Sequence, residues 1–242
     1  MKVAAVIPCW NESTSIADIV FKTNELVGLS IVADDHSQDG TVEEAEKAGA
    51  YVARNFRRRG AGANTKTGMN EAMLLDCHVV VTLDGDGQHN PSDIPKLLKP
   101  IFDGNADVVI GTRFATKSGN KIPRYRRFGI KVITWLFNFG RKQKLSDVQC
   151  CFRAFSRSVL EAVDIEETGF SFSVETVIKA RALGFRIVEV PVNVLYHRQF
   201  SRNSSLNPIV HGLSVALGTI KWRIKIELLP KFGHCLKQKP MV

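Results

Sequence analysis

With 242 residues, 44% hydrophobic content and a mean hydropathy of −0.05, the chain is long enough to bury one substantial core. No apolar run approaches the roughly 18 to 20 residues that span a bilayer; the opening residues 1–8 read as a first strand rather than a secretion signal, and a cytosolic location is expected. The formal charge of +9 is concentrated in residues 108–146, where Arg113, Lys117, Lys121, Arg124, Arg126, Arg127, Lys131, Arg141, Lys142 and Lys144 stand without one Asp or Glu, a patch that calls for an anionic partner.

Taken in chain order, apolar runs alternate with helical patterns. The sequence predicts a strand over 3–7, a helix over about 13–27, a strand over 29–33, a helix from Thr41, a strand over 50–53, a helix over about 62–75 and a strand over 78–83. That alternation specifies an α/β fold. Thr41 and Glu44 have the spacing of a capping box, and Pro91-Ser92-Asp93 opens a helix running towards Phe102. A strand over 107–111, a basic loop and a helix near 126–139 follow; beyond Asp147 come short elements, among them a helix over 172–183 and a strand pair near 186–190 and 192–196. In the C-terminal stretch Ile209, Leu213, Ala216, Leu217, Ile220, Ile224 and Leu228 recur at helical steps, with Lys221, Trp222, Arg223 and Lys225 in the later turns. This amphipathic helix suits packing on its own domain and docking on a membrane surface equally well. Cys9, Cys77, Cys150, Cys151 and Cys235 form an odd set without CxxC spacing, which argues for reduced thiols and against a disulfide framework or zinc site.

The chemistry-bearing residues fall at the ends of predicted strands, where open parallel sheets bind ligands. The strand over 78–83 leads into Asp84-Gly85-Asp86, two carboxylates that repel unless a hard divalent cation sits between them. The first two strands end in Pro8-Cys9-Trp10-Asn11-Glu12 and Ala33-Asp34-Asp35-His36-Ser37-Gln38-Asp39-Gly40-Thr41. Carboxylates there accept hydrogen bonds from ribose hydroxyls or base N–H groups, while Asp39 reads better as a turn and cap residue. No GxGxxG turn follows the first strand, which argues against a dinucleotide-dependent dehydrogenase; Gly60-Ala61-Gly62 through Gly68 reads as a tight turn and close helix packing. His89 is placed to orient the acidic loop rather than bind metal, having no second His nearby.

Six segments occur in order: Pro8-x-Trp10-Asn11-Glu12, Asp34-Asp35-x-Ser37-x-Asp39-Gly40-Thr41, Leu83-Asp84-Gly85-Asp86-x-Gln88-His89-x-Pro91, Gly111-Thr112-Arg113-Phe114, Ser146-Asp147-x-x-x-x-Phe152-Arg153 and Glu189-Val190-Pro191. Together they resemble the family 2 glycosyltransferases, in particular the branch that glycosylates polyprenyl phosphates, typified by dolichol-phosphate mannosyltransferase. The resemblance covers about residues 2–206. It implies a GT-A, Rossmann-like catalytic domain over 1–206, with a mostly parallel central sheet flanked by helices, followed by the amphipathic helix and basic tail of 207–242.

The resemblance also implies roles. Pro8, Trp10, Glu12, Ala33 and Asp35 match positions around the nucleoside; Asp84, Gly85 and Asp86 match the segment that carries Mg2+ or Mn2+ and the diphosphate, with Gln88 beside the donor. Asp86, Arg113 and Asp147 are the expected catalytic residues, and Arg113, Arg126, Arg198 and Arg202 the expected ligands of an acceptor phosphate. Glu175 matches a family position that equally suits a structural partner. Two departures stand out: Cys150-Cys151 replaces the usual glycine before Phe152, and the Arg-x-x-Gly-x-Ser-Lys pattern is replaced by Arg198-Gln199-Phe200-Ser201-Arg202-Asn203-Ser204-Ser205. The implied partners are a nucleotide-diphosphate sugar, a polyprenyl phosphate, a membrane surface on its cytosolic side and a membrane-anchoring subunit; nucleic acid is not expected. The implied reaction is inverting transfer of a hexose from GDP-mannose or a UDP-sugar to the lipid phosphate. A glycan hydroxyl is the alternative acceptor, and it requires a carboxylate base, for which Asp147 is the candidate.

Overall fold

The computed structural model describes residues 1–115, 122–194 and 208–228. Seven strands, β1 (Val3–Cys9), β2 (Ser30–Asp34), β3 (Tyr51–Arg54), β4 (Val79–Thr82), β5 (Val108–Thr112), β6 (Arg153–Ser156) and β7 (Ile187–Pro191), form one sheet. Their order is β3-β2-β1-β4-β6-β5-β7. The first four are parallel; β6 lies antiparallel between β4 and β5, and β7 pairs parallel with β5. The continuous Val/Ile/Ala runs of β1, β2, β4 and β5 are buried along their length, as a sheet covered on both faces requires.

The covering helices are α1 (Ile16–Val27), α2 (Thr41–Lys47), α3 (Ala61–Leu74), α4 (Ile94–Phe102), α5 (Arg124–Asn138), α6 (Arg157–Ala162), α7 (Phe172–Ala182) and α8 (Pro208–Arg223). This is the mostly parallel, helix-flanked α/β architecture expected. The close packing expected around Gly60–Gly68 is present: α3 approaches the 167–169 segment so closely that a Cβ on Gly62 would collide with the Glu167 carbonyl oxygen.

Two local readings need correction. The capping box does not form, because Gly40 takes the cap position of α2. Thr41 Oγ1 instead accepts from the Glu12 N–H at 2.9 Å and hydrogen-bonds to Asp39, while Glu44 pairs with Lys47. Asp39, accepting also from Ser13 N–H and Thr41 N–H, is a turn residue. Of the second strand expected near 192–196, only an antiparallel bridge between Val194 and His89 lies within the described residues.

The C-terminal helix packs on its own domain. Trp222 is fully buried, with Lys179 and Lys225 Nζ at 4.3 and 4.4 Å from its ring centroid, and its indole N–H donates to Glu167 at 2.8 Å. Lys221 and Lys225 pair with Glu167 and Glu166. Glu175 is buried and structural: it accepts from the Glu166 and Glu167 N–H groups and from Lys179, which anchors the loop on which Trp222 rests.

Candidate active site

The loop after β4 carries Asp84, Gly85 and Asp86 between the ends of β1 and β6. Its path is set from both sides. Ser15 Oγ donates to the Gly85 carbonyl at 2.6 Å, and a Cβ on Gly85 would collide with Cys9 Sγ, so only glycine lets the loop lie this close to β1. The Asp84 N–H donates to His89 Nδ1 at 3.2 Å, and the Gln88 N–H to Asp86 Oδ1 at 2.9 Å. The His89 ring stacks on Phe152 at 5.1 Å. Burial holds its pKa down at about 4, so the imidazole is neutral, accepting at Nδ1 and orienting the loop.

Burial pushes the Asp84 carboxyl above its ordinary range, against the charges of Arg113 and Arg153; burial and then the charge of Asp84 do the same to Asp86. Because 42% of the Asp84 side chain remains exposed, water screens part of the burial effect there. The repulsion between the two carboxylates is what a bound cation would relieve. Two hard oxygen donors with unfavourable mutual charge fit a divalent ion such as Mg2+ or Mn2+. Among the described residues no group of three or more His, Cys, Asp or Glu side chains gathers around a metal position, at this loop or elsewhere, so the protein's part of the site is these two carboxylates.

The loops after β1 and β2 are stitched together: Asn11 N–H donates to Ser37 Oγ at 2.9 Å and Asn11 Oδ1 accepts from Gln38 N–H at 3.0 Å. Asp35 is buried beneath the segment before α3, accepting from Arg59 N–H at 2.7 Å and Gly60 N–H at 2.8 Å. That segment places the Arg58 guanidinium 3.4 Å above the Trp10 ring, giving a flat, cationic wall beside Pro8 and Glu12. Ala33 does not join this wall. It has no exposed surface, packs towards Gly68, and its carbonyl accepts from Asn64 at 2.7 Å.

Arg113, at the end of β5, is held by Asp147 through two hydrogen bonds of 2.6 Å, Nε to Oδ2 and a terminal nitrogen to Oδ1; the Arg113 main-chain N–H adds a third at 3.2 Å. The Asp147 side chain is wholly buried and that of Arg113 is 15% exposed. Glu189 on β7 fixes the base of this pair by accepting from Ser146 N–H and Asp147 N–H. The Asp147 carboxylate, expected to be catalytic, is thus buried and paired through both oxygens with Arg113. The charge of Arg113 acts on Asp84, and that of Arg126 on Asp86, so both arginines belong to the site's field. Arg198 and Arg202 lie outside the described residues.

The departure at Cys150-Cys151 also has a structural account. Buried Arg153 donates to the carbonyls of Cys150, Val148 and Ser173 at 2.6–2.7 Å, and Thr82 Oγ1 to that of Cys151 at 2.7 Å, so the turn is held by its backbone. Burial pushes the Cys150 thiol up to about 12 and the Cys151 thiol well above its ordinary value, leaving both protonated. Ser15 and Arg58 support the site but were not singled out from sequence, and Glu189 entered only within a matched segment, with no role attached. The signal available for Arg58 was the Arg57-Arg58-Arg59 run.

A carboxylate pair at the strand ends of a mostly parallel sheet, with Arg113 fixed just after β5, fits a GT-A glycosyltransferase. The chain matches Glycosyl transferase family 2 over residues 4–164 and belongs to that family. It is 31% identical over 206 residues to the undecaprenyl-phosphate mannosyltransferase of Micrococcus luteus, covering 79% of this chain and 83% of that one. It is 28% identical over 215 residues to the UDP-N-acetylglucosamine–dolichyl-phosphate N-acetylglucosaminyltransferase of Methanococcus voltae, with 79% and 84% coverage. Its fold matches the crystal structure of glucosyl-3-phosphoglycerate synthase from Mycobacterium tuberculosis, solved with Mn2+, UDP-glucose and phosphoglyceric acid, at a TM-score of 0.69 and 20% identity over 91% of this chain and 79% of that one.

Proposed function

We propose that the protein transfers a hexose from a nucleotide-diphosphate sugar, GDP-mannose or a UDP-sugar, to a polyprenyl phosphate held at the cytosolic face of a membrane, with inversion at the anomeric carbon. The observation that carries this reading is the state of Asp147. A glycan hydroxyl must lose a proton as it attacks, and the carboxylate available for that task is buried and engaged at both oxygens by Arg113. A phosphate monoester oxygen is already anionic near neutral pH and attacks the sugar carbon without a base.

Trp10, Arg58 and Glu12 would bound the nucleoside, with Asp35 holding the segment that presents Arg58. Asp84 and Asp86 would hold Mg2+ or Mn2+, which when bound supplies positive charge to the departing diphosphate. Arg113, fixed in plane by Asp147, presents a guanidinium suited to forked contacts with phosphate oxygens. Arg126 adds charge on the acceptor side. As the phosphate oxygen bonds to the anomeric carbon, the bond to the nucleoside diphosphate breaks and the electron pair leaves with that group. The relatives named above use different sugars, so this reading leaves the donor to experiment.

The test offers radiolabelled GDP-mannose, UDP-glucose and UDP-N-acetylglucosamine with a polyprenyl phosphate, with and without Mn2+. One donor is expected to give metal-dependent, solvent-extractable label that Asp86→Ala abolishes while its circular dichroism stays native. Label on a soluble glycan, and none on lipid with any donor, would contradict the proposal.

A further inference from the structure

Helix α3 begins without a side-chain cap. Gly60 stands before it with a φ of 94°, and N–H groups of the first turn are satisfied by a carbonyl from a distant part of the chain: Gly62 and Ala63 donate to Thr168 at 2.8 and 3.4 Å. The two segments meet closely. A Cβ on Gly60 would collide with the Thr168 carbonyl oxygen and one on Gly62 with that of Glu167, so glycine at both positions lets 60–62 rest on 167–169.

This first turn holds both loops of the nucleoside wall. On one side the N–H groups of Arg59 and Gly60 bind the Asp35 carboxylate, with Arg58 over Trp10. On the other, buried Asn64 donates to the carbonyls of Cys9 at 3.3 Å and Ala33 at 2.7 Å, the residues that lead into Trp10 and into Asp34-Asp35. Asn64 also accepts from Asn55, at the end of β3, at 2.9 Å. Whatever places Thr168 therefore places the wall.

Glu167 is the residue that does so. Its N–H donates to Glu175 on α7 at 2.9 Å, and its Oε1 accepts both the Trp222 indole N–H at 2.8 Å and Lys221 at 2.7 Å, from α8. Trp222 is fully buried and the Glu167 side chain is 19% exposed, so the contact is shielded from competing water. One side chain thus ties the C-terminal helix to the segment on which α3 rests.

We infer that Glu167 is a positioning residue for the donor: through Thr168 it fixes the first turn of α3 and with it the loops of Trp10 and Asp35, so that the seating of α8 sets the affinity for the donor nucleotide. The inference rests on the reading of those loops as the nucleoside site, and one arm of its test contains no nucleotide, so the two fail separately.

Hydrogen exchange is followed in the full chain without ligand at the amides of Arg59, Gly60, Gly62 and Ala63, relative to the core amides of β1. Binding of GDP and of UDP is measured by titration calorimetry with Mn2+. Glu167→Ala should raise exchange at the four amides and weaken nucleotide binding roughly 2- to 30-fold, the range carried by packed networks of this kind, with KM for the donor rising and kcat unchanged. Glu167→Gln should match the original chain, because an amide oxygen still accepts from the indole and the lysine. Trp222→Phe keeps a ring beneath α8 and loses the N–H; it should shift both readouts in the direction of Glu167→Ala, and it decides the matter where Glu167→Ala does not fold. A loss of stability in urea with relative exchange and nucleotide affinity both unmoved would show a structural role alone and overturn the inference. So would Glu167→Gln behaving like Glu167→Ala. An original chain that binds neither nucleotide refutes the nucleoside reading, and relative exchange at the four amides then decides whether Glu167 sets the turn.

Discussion

Replacing Asp147 with Asn tests the claim that this carboxylate positions Arg113 and takes no proton. The change removes the negative charge from two 2.6 Å hydrogen bonds and leaves a guanidinium only 15% exposed without its counter-ion. Breaking a buried pair from one side costs about 3–5 kcal/mol, which for a chain of this size is a fall of roughly 10 °C in Tm. Arg113 loses its fixed plane as well, and a displacement of about 1 Å at a positioning group costs on the order of 100-fold in rate. The assays are urea unfolding and steady-state transfer with whichever donor the labelling test selects, each repeated with Arg113→Met combined with Asp147→Leu. The double variant should recover most of the stability, because an apolar pair replaces the ion pair, yet remain inactive because the guanidinium is gone. A positioning role leaves the pH dependence of residual kcat in Asp147→Asn unchanged. The reasoning is refuted if the variant keeps its stability and loses the acidic limb of its kcat–pH profile, the signature of a missing general base.

Three further outcomes follow from the packing and charge. Gly85→Ala should abolish transfer by forcing the acidic loop away from Cys9, and Cys9→Ala in the same chain should restore part of the activity; full activity in the single variant would show that the close approach is unimportant. Trp222→Ala should cost about 3–5 kcal/mol in urea unfolding, since the ring is buried between Lys179 and Lys225; a cost under about 1 kcal/mol, the size of an ordinary surface change, would contradict the docking of α8. Hydrogen bonds from Arg186 hold the Asp107 carboxyl below its ordinary pKa of 3.8. The folded state therefore binds that proton less readily than the unfolded chain, and the stabilisation is complete above the unfolded value and lost as pH falls through the folded one. Asp107→Asn should flatten that acid limb of the stability curve, and an unchanged limb would refute the assignment.

The alternation of buried β-branched runs with helical patterns made β1 to β5 and α1 to α5 legible, because strands covered on both faces read as unbroken apolar segments. The antiparallel insertion of β6 was not legible. Its four residues include Arg153, a polar signal whose partners are backbone carbonyls brought near only by the fold. At the site, the pairing of Asp84 with Asp86 and the involvement of Arg113 were visible as spaced residues, whereas the burial of Asp147 was not. Spacing shows that two charges share a neighbourhood; only the tertiary structure shows that one is consumed by the other. Ala33 failed for the related reason that a residue at a strand end faces the core or the pocket according to the pleat and its neighbours, here Gly68. The amphipathic C-terminal helix proved to be two-sided: Trp222 faces the domain, and the stripe from Val210 to Ile224 faces outward.

The most direct test of the central claim, that the acceptor brings its own negative charge, compares a polyprenyl phosphate with the same polyprenol lacking the phosphate, in the presence of Mn2+ and the active donor. The account predicts lipid-linked sugar from the phosphate alone, with the polyprenol neither glycosylated nor inhibitory. Equal transfer to the polyprenol hydroxyl would contradict it, since that reaction needs a base and Asp147 is committed to Arg113.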